Sequence, residues 1–191
     1  MLKPMSSGCF VFIATSLDGF IARRDGSIDW LERANTTIPP GEDCGFAAFM
    51  DGIDAIVMGR NTFDVARAFP EWLYGTTPLV VLSRTLTELP EGTPDSVSLS
   101  SKSPHDVVAA LASRGLRRLY IDGGLTVQSF LSAGLINEIT ITTIPVLLGS
   151  GLPLFGSVPE DVWLEHVSTQ AYEFGFVQSR YRVARVSQEQ S

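Results

Sequence analysis

Cysteine is almost absent from this chain: Cys9 and Cys44 are the only two in 191 residues. Two thiols cannot build a disulfide framework, and no CxxC or Cys/His spacing points to zinc, so reduced, partly buried thiols and no metal site are expected. Histidine is equally scarce. His105 in a helix cap and His166 in a terminal strand both read as structural. Positive charge is short too: 14 Lys and Arg against 21 Asp and Glu give a net charge of -7. Nucleic-acid binding needs a basic face, so that class of partner is excluded. A small anionic ligand is not, because a few local arginines dominate within a Debye length of about 8 to 10 Å. Long apolar runs are missing: Cys9 to Ala14 falls far below the roughly 18 residues of a membrane span. No small-residue cleavage site follows it. No membrane partner and a cytoplasmic location are therefore expected. No G-x-G-x-x-G opens a helix and no Walker Gly-x4-Gly-Lys-Ser/Thr occurs; Gly149-Ser150-Gly151 comes nearest, but Pro153 follows too soon.

What is present is a core. Apolar residues make up 45% and charged ones 18%, with 11 Phe, a balance that buries rather than disorders a chain. The length suits one domain over 1–191, with its core from about 9 to 186. Phe10 to Thr15 reads as a central strand, followed by a turn at Leu17-Asp18-Gly19 and a short extended piece, Phe20 to Ala22. Arg23 to Gly41 reads mostly as loop. Phe46, Phe49, Met50 and Ile53 recur at helical spacing, predicting a helix from near Glu42. Ala55 to Met58 and Pro78 to Leu82 read as strands, with a helix over Asn61 to Phe69 between them. Ser103-Pro104-His105-Asp106 caps a helix to Ser113. Leu119 to Asp122 is another strand, and Thr126 to Ala133 a helix closed by Gly134. The remainder is β, ending in an antiparallel hairpin of Val162 to Tyr172 and Phe176 to Val186. Alternating strands and helices before a terminal hairpin imply an α/β fold: a mostly parallel central sheet flanked by helices, with antiparallel edges.

Three strands end on residues suited to anions. Gly59 is followed by Arg60, Asn61 and Thr62 where a helix begins, so backbone N–H groups and the helix dipole favour phosphate. Arg60 adds a bidentate fork, unless it is only a solvated surface charge. Ser83 and Arg84 close the next strand, where a hydroxyl and a guanidinium suit a dianionic phosphate and no acid stands ready to hold a ribose. Gly123 and Gly124 let backbone approach a pyrophosphate, with Leu125 and Thr126 opening a helix over it.

These segments also carry a family likeness. Met58-Gly59-Arg60-Asn61-Thr62-Phe63, Leu82-Ser83-Arg84 and Gly123-Gly124 resemble the cofactor-binding segments of the dihydrofolate reductase superfamily. The stretch from Ala14 to Ala22 and that from Pro145 to Phe155 resemble its riboflavin-biosynthesis pyrimidine reductase branch. The likeness runs from about Phe10 to about Val186 and implies a dihydrofolate reductase-like fold. It also implies NADPH as cofactor, with Ser83 and Arg84 at its 2′-phosphate. The backbones of Ala14 and Ile21 would then hold the nicotinamide amide, although both also suit plain core. In such families the Gly-Gly link is often strained or cis. Asp43, sixteen residues before Gly59, falls where dihydrofolate reductases keep the acid that holds the pterin. It is the candidate catalytic residue, a proton relay if enclosed in an apolar cleft and otherwise a helix cap. Asp18, Asp29 with Trp30, and Asp122 are weaker candidates.

Three departures stand out. Phe12 occupies a position where the pyrimidine reductases carry lysine, Asp122 replaces their Glu before Gly-Gly, and the basic cluster for a ribose phosphate is absent. The expected function is NADPH-dependent hydride transfer to a pyrimidine or pterin-like heterocycle. 5-Amino-6-(5-phosphoribosylamino)uracil reductase activity leads narrowly, ahead of a dihydrofolate reductase-type activity. A non-catalytic nucleotide-binding protein and a flavin- or drug-binding scaffold are the rivals. A homodimer is expected from the apolar terminal hairpin, with Val162, Leu164, Phe174, Phe176 and Tyr181.

Overall fold

The computed structural model describes residues 7–184, so Arg185 and Val186 at the end of the expected hairpin lie outside the described residues. The chain runs through β1 (Gly8–Ser16), β2 (Phe20–Ala22), α1 (Asp29–Asn35), α2 (Phe46–Met50), β3 (Ala55–Gly59), α3 (Arg60–Arg67) and β4 (Leu79–Leu82). It continues with β5 (Val97–Ser100), α4 (Pro104–Ser113), β6 (Arg118–Asp122), α5 (Gly124–Ser132), β7 (Ile136–Ile144), β8 (Leu152–Pro153), β9 (Leu164–Ala171) and β10 (Val177–Val183).

Eight strands form one sheet in the order β5-β4-β3-β6-β1-β7-β10-β9. The first six are parallel to their neighbours; β10 and β9 add antiparallel. This is the mixed α/β arrangement of the dihydrofolate reductase-like fold. Parallel pairing aligns the carboxyl ends of β5, β4, β3, β6, β1 and β7 on one edge, where such sheets bind ligands. Helices α4 and α5 cover one face through Val107, Leu111, Val127 and Phe130, against Val11, Val57, Leu119 and Ile121. On the other face Ile56, Met58, Tyr120 and the α3 residues Phe63 and Ala66 form a second core, joined by Phe46, Phe49 and Met50 of α2. A third cluster of Trp30, Cys44, Ile144 and Phe176 lies over the end of β1.

The structure departs from the sequence reading in four places. Residues 29–35 are helical, not loop: Trp30 is buried, and Leu31 and Ala34 pack beside it. Helix α2 begins at Phe46 rather than near Glu42, because Cys44 (φ 55°) and Gly45 (φ 81°) are both left-handed and cannot join a right-handed helix. Strand β5 was hidden in a serine-rich stretch; only Val97 and Leu99 announce it. Two of the hairpin residues expected to face a partner are turned toward the chain itself: Phe176 is buried, and half-buried Phe174 packs on Tyr172 and Phe176. Cys9 and Cys44 are free and buried.

Candidate functional site

The strand ends assemble one anion-suited edge. Gly59 closes β3 beside Leu82 of β4, Leu82 pairs with Ser100 of β5, and Met58 pairs with Asp122 of β6. Arg60, Ser83-Arg84 and Gly123-Gly124 therefore emerge side by side. Helix α3 opens at Arg60 and α5 at Gly124, and no side chain among the described residues caps either one. First-turn N–H groups of this kind suit an anion.

Close approaches lock this edge together. Gly123 sits at φ 87°, and a Cβ there would overlap the Thr62 hydroxyl. A Cβ on Gly124 would stand 2.9 Å from Ile21 Cδ1 and 3.0 Å from the Pro153 carbonyl. Gly123, Gly124, Thr62 and Ile21 thus meet at one point, with β2 held there by pairing to β8. The Gly123–Gly124 peptide is trans, so of the strained or cis link expected here the cis form is not adopted. Thr126 is buried in α5, whereas Leu125 is 76% exposed beside Gly124. Ala14 lies on β1 opposite Thr142 and packs against the Trp30 cluster.

The cations differ in freedom. Arg60 Nε lies 3.5 Å from Asp64 one helical turn on, an exposed pair of small worth, while Asn61 beside it is exposed. Ser83 Oγ accepts the Leu86 N–H at 2.9 Å, shaping the turn that presents Arg84. Arg84 is exposed and forms no ion pair among the described residues. The Ser83 N–H donates to the Ser100 carbonyl, placing Lys102 after β5 close to this end of the edge. Sequence reasoning missed Lys102 because β5 was missed; its one signal was the Val97/Leu99 alternation.

The two carboxylates have opposite surroundings. Asp43 is solvent-exposed rather than enclosed in an apolar cleft. Its oxygens accept the Gly45 and Ala47 N–H groups, each at 2.8 Å, so it holds the head of α2, the arrangement of a cap. Asp122, at the carboxyl end of β6, accepts the Gly123 N–H at 2.8 Å and faces the Tyr74 hydroxyl at 3.4 Å. Burial pushes its pKa up to about 6, against the pull of the Gly123 N–H and the neighbouring tyrosine hydroxyls. Burial and the Asp122 charge hold the Tyr74 and Tyr120 phenols protonated. A carboxyl near neutrality at the Gly-Gly turn can present either a proton or a lone pair.

Asp18 serves the frame. It accepts the Ser16 hydroxyl at 2.7 Å and the Leu148 and Gly149 N–H groups at 3.1 and 2.7 Å, tying the β1–β2 turn to the loop after β7. The Ser16 hydrogen bond first, and those two backbone donors after it, hold its carboxyl below the usual range. Asp29 pairs with Arg23. Gln178, another residue the sequence did not flag, donates to the Cys44 carbonyl and to Thr142 Oγ1, each at 2.9 Å, bracing the left-handed turn before α2. Among the described residues no His, Cys, Asp and Glu cluster could hold a metal ion, and no helix is long and apolar enough to cross a membrane.

Comparison with known proteins agrees with this fold. The model of the RibD C-terminal domain matches residues 9–177. The chain is similar to the uncharacterized protein YwjB of Bacillus subtilis (strain 168), with 32% identity covering 85% of this chain and 90% of that one. It is similar to the crystal structure of a putative riboflavin biosynthesis protein from Shewanella sp. PV-4, with 42% identity, a TM-score of 0.87, and coverage of 93% and 99%. At the level of fold alone it is similar to the dihydrofolate reductase from Enterococcus faecalis complexed with NADP(H). That match has 18% identity, a TM-score of 0.63, and coverage of 93% and 97%.

Proposed function

The chain belongs to the RibD C-terminal domain family, reductases on a dihydrofolate reductase-like fold, and on that premise we propose that it is an NADPH-dependent reductase of a pyrimidine or pterin-like heterocycle. The chemistry of riboflavin biosynthesis, in which 5-amino-6-(5-phosphoribosylamino)uracil is reduced, supplies the leading ring. The carrying observation is the row of parallel strand ends that brings Arg60, Ser83-Arg84 and Gly123-Gly124 to one edge. NADPH would supply the hydride; the protein's part is binding, orientation and proton handling.

Arg84, with Lys102 following the strand next to its own, suits the 2′-phosphate, and the N-termini of α3 and α5 with Arg60 suit the pyrophosphate. The glycines at 123 and 124 fit such a group because side chains there would collide with Thr62 and Ile21. The backbones of Ala14 and Ile21 would hold the nicotinamide amide. Asp122 is the group assigned to deliver a proton to the ring, while Asp43 keeps α2 in place.

A nucleotide-binding protein without turnover is the second reading, favoured by Phe12 at the lysine position. One assay separates the two: NADPH oxidation by the purified chain with a panel of pyrimidines and dihydropterins. Ring-dependent oxidation is expected; saturable NADPH binding with no oxidation for any ring would establish the second reading.

A further inference from the structure

The sheet face that carries Asp122 also carries an aromatic wall. Phe10 of β1 pairs with Tyr120 of β6, and two residues further along both strands come Phe12 and Asp122. Phe12 lies 4.9 Å from Phe49 and 5.7 Å from Phe46 between ring centroids, and Phe49 meets Tyr120 edge-on at 5.1 Å. Tyr120 donates its hydroxyl to the Phe12 carbonyl at 2.9 Å, fixing the wall to β1. Phe12, Phe46 and Phe49 are all half-buried, so their rings seal the core while part of each stays accessible.

Carboxylates flank this wall. Asp122 stands at its end, and Glu42 and Asp43 stand at the head of the helix that carries Phe46 and Phe49. The sheet cations on this face are already engaged, and Arg60 of α3 is given to the cofactor in the reading above. Arg118 covers the Phe10 ring at 4.2 Å and donates to the Gly52 carbonyl. Arg180, two strands away, is held by Glu138 at 2.9 Å. A phosphate ester brought onto the wall would meet carboxylates and lose water without a counter-ion, an unfavourable exchange. Ala14, two residues beyond Phe12 on β1, packs instead against the Trp30 cluster. An uncharged ring suits the wall better than a phosphate does.

Building on the reductase function proposed above, we propose that the substrate ring enters without a phosphate. It is a neutral or cationic planar heterocycle, stacked on Phe12, Phe46 and Phe49 and hydrogen-bonded at its edge by Asp122. Phe12, where the resembling reductases carry lysine, is then a specificity-determining residue that exchanges an anion contact for a stacking one.

The test compares 5-amino-6-(5-phosphoribosylamino)uracil with its dephosphorylated counterpart, titrated onto the full chain with and without NADP⁺ and followed by protein fluorescence. The dephosphorylated compound is expected to bind roughly ten-fold tighter or more. Phe12→Lys is expected to erase that preference, and Phe12→Leu to weaken both compounds alike. A wild-type preference for the phosphorylated compound, or no measurable binding of the dephosphorylated one, overturns the proposal. Failure of NADPH itself to bind would instead remove the reductase assignment, while the comparison without cofactor still reads the wall.

Discussion

At the scale of single residues, the difference between Asp43 and Asp122 is one of environment. Asp43 has water on one side and backbone N–H donors on the other, and asparagine caps nearly as well as aspartate. Asp43→Asn is therefore expected to leave kcat and melting temperature near wild type, as steady-state assay and calorimetry would show. Asp122 is pressed among tyrosines at the Gly-Gly turn, and Asp122→Asn is expected to lower kcat by about 10²- to 10⁴-fold with NADPH binding retained. Its pKa near 6 also fixes a sign. The protonated acid carries the proton, so activity should decline as pH rises through about 6. Stability follows the same direction: the folded state holds a proton that the unfolded chain releases above about 4, so burying Asp122 costs stability as pH rises from there to about 6. The stability gain of Asp122→Asn over wild type should grow across that window and level off above it. A gain that did not vary with pH would separate Asp122 from any titration.

At the scale of elements, the site depends on how turns are held. The Asp18 clamp joins the β1–β2 turn to the loop after β7. Its carboxyl is held below the usual range, so the clamp is complete above the ordinary carboxylate pKa of about 4 and is lost as pH falls through the lowered value. Hydrogen exchange at Leu148 and Gly149 should quicken in Asp18→Asn at neutral pH, and unchanged protection would deny the clamp. Gly123→Ala should fold poorly or lose NADPH, since φ 87° and the Thr62 hydroxyl both oppose a Cβ. The elements that sequence conveyed well are those with local signals: apolar runs ending on glycine, and the Ser103 cap that accepts the Asp106 N–H. Those it concealed depend on long-range contact. Helix α1 is seven residues with no side-chain cap and is held by Trp30 among distant partners, while β5 is four residues whose pairing with β4 supplies its stability. The same holds in the site. Arg60, Arg84 and the glycines were legible from their strand ends, whereas the environment of Asp122 is created by Tyr74, forty-eight positions away.

At the scale of the whole molecule, β9 is the open edge of the sheet, and every one of its residues is exposed. Beside it Trp163 is 68% exposed, with Phe155, Val158, Leu164 and Val167 also open. A cavity of about 400 Å³ lies between α5, β7 and this segment. A homodimer is proposed to cover this surface, which replaces Phe174 and Phe176 as the contact residues. Light scattering at micromolar concentration should give twice 20.7 kDa, and Trp163→Glu should give the monomer. A wild-type monomer would leave the patch without its proposed occupant. The most direct measurement is cofactor discrimination at the strand-end edge: fluorescence titration of wild type and Arg84→Ala with NADPH and with NADH. Wild type is expected to bind NADPH more tightly. Arg84→Ala should weaken NADPH by roughly 1.5 to 3 kcal/mol, one charge-assisted contact, while hardly altering NADH. Equal loss for both cofactors, or no preference in wild type, would contradict the assignment of this edge.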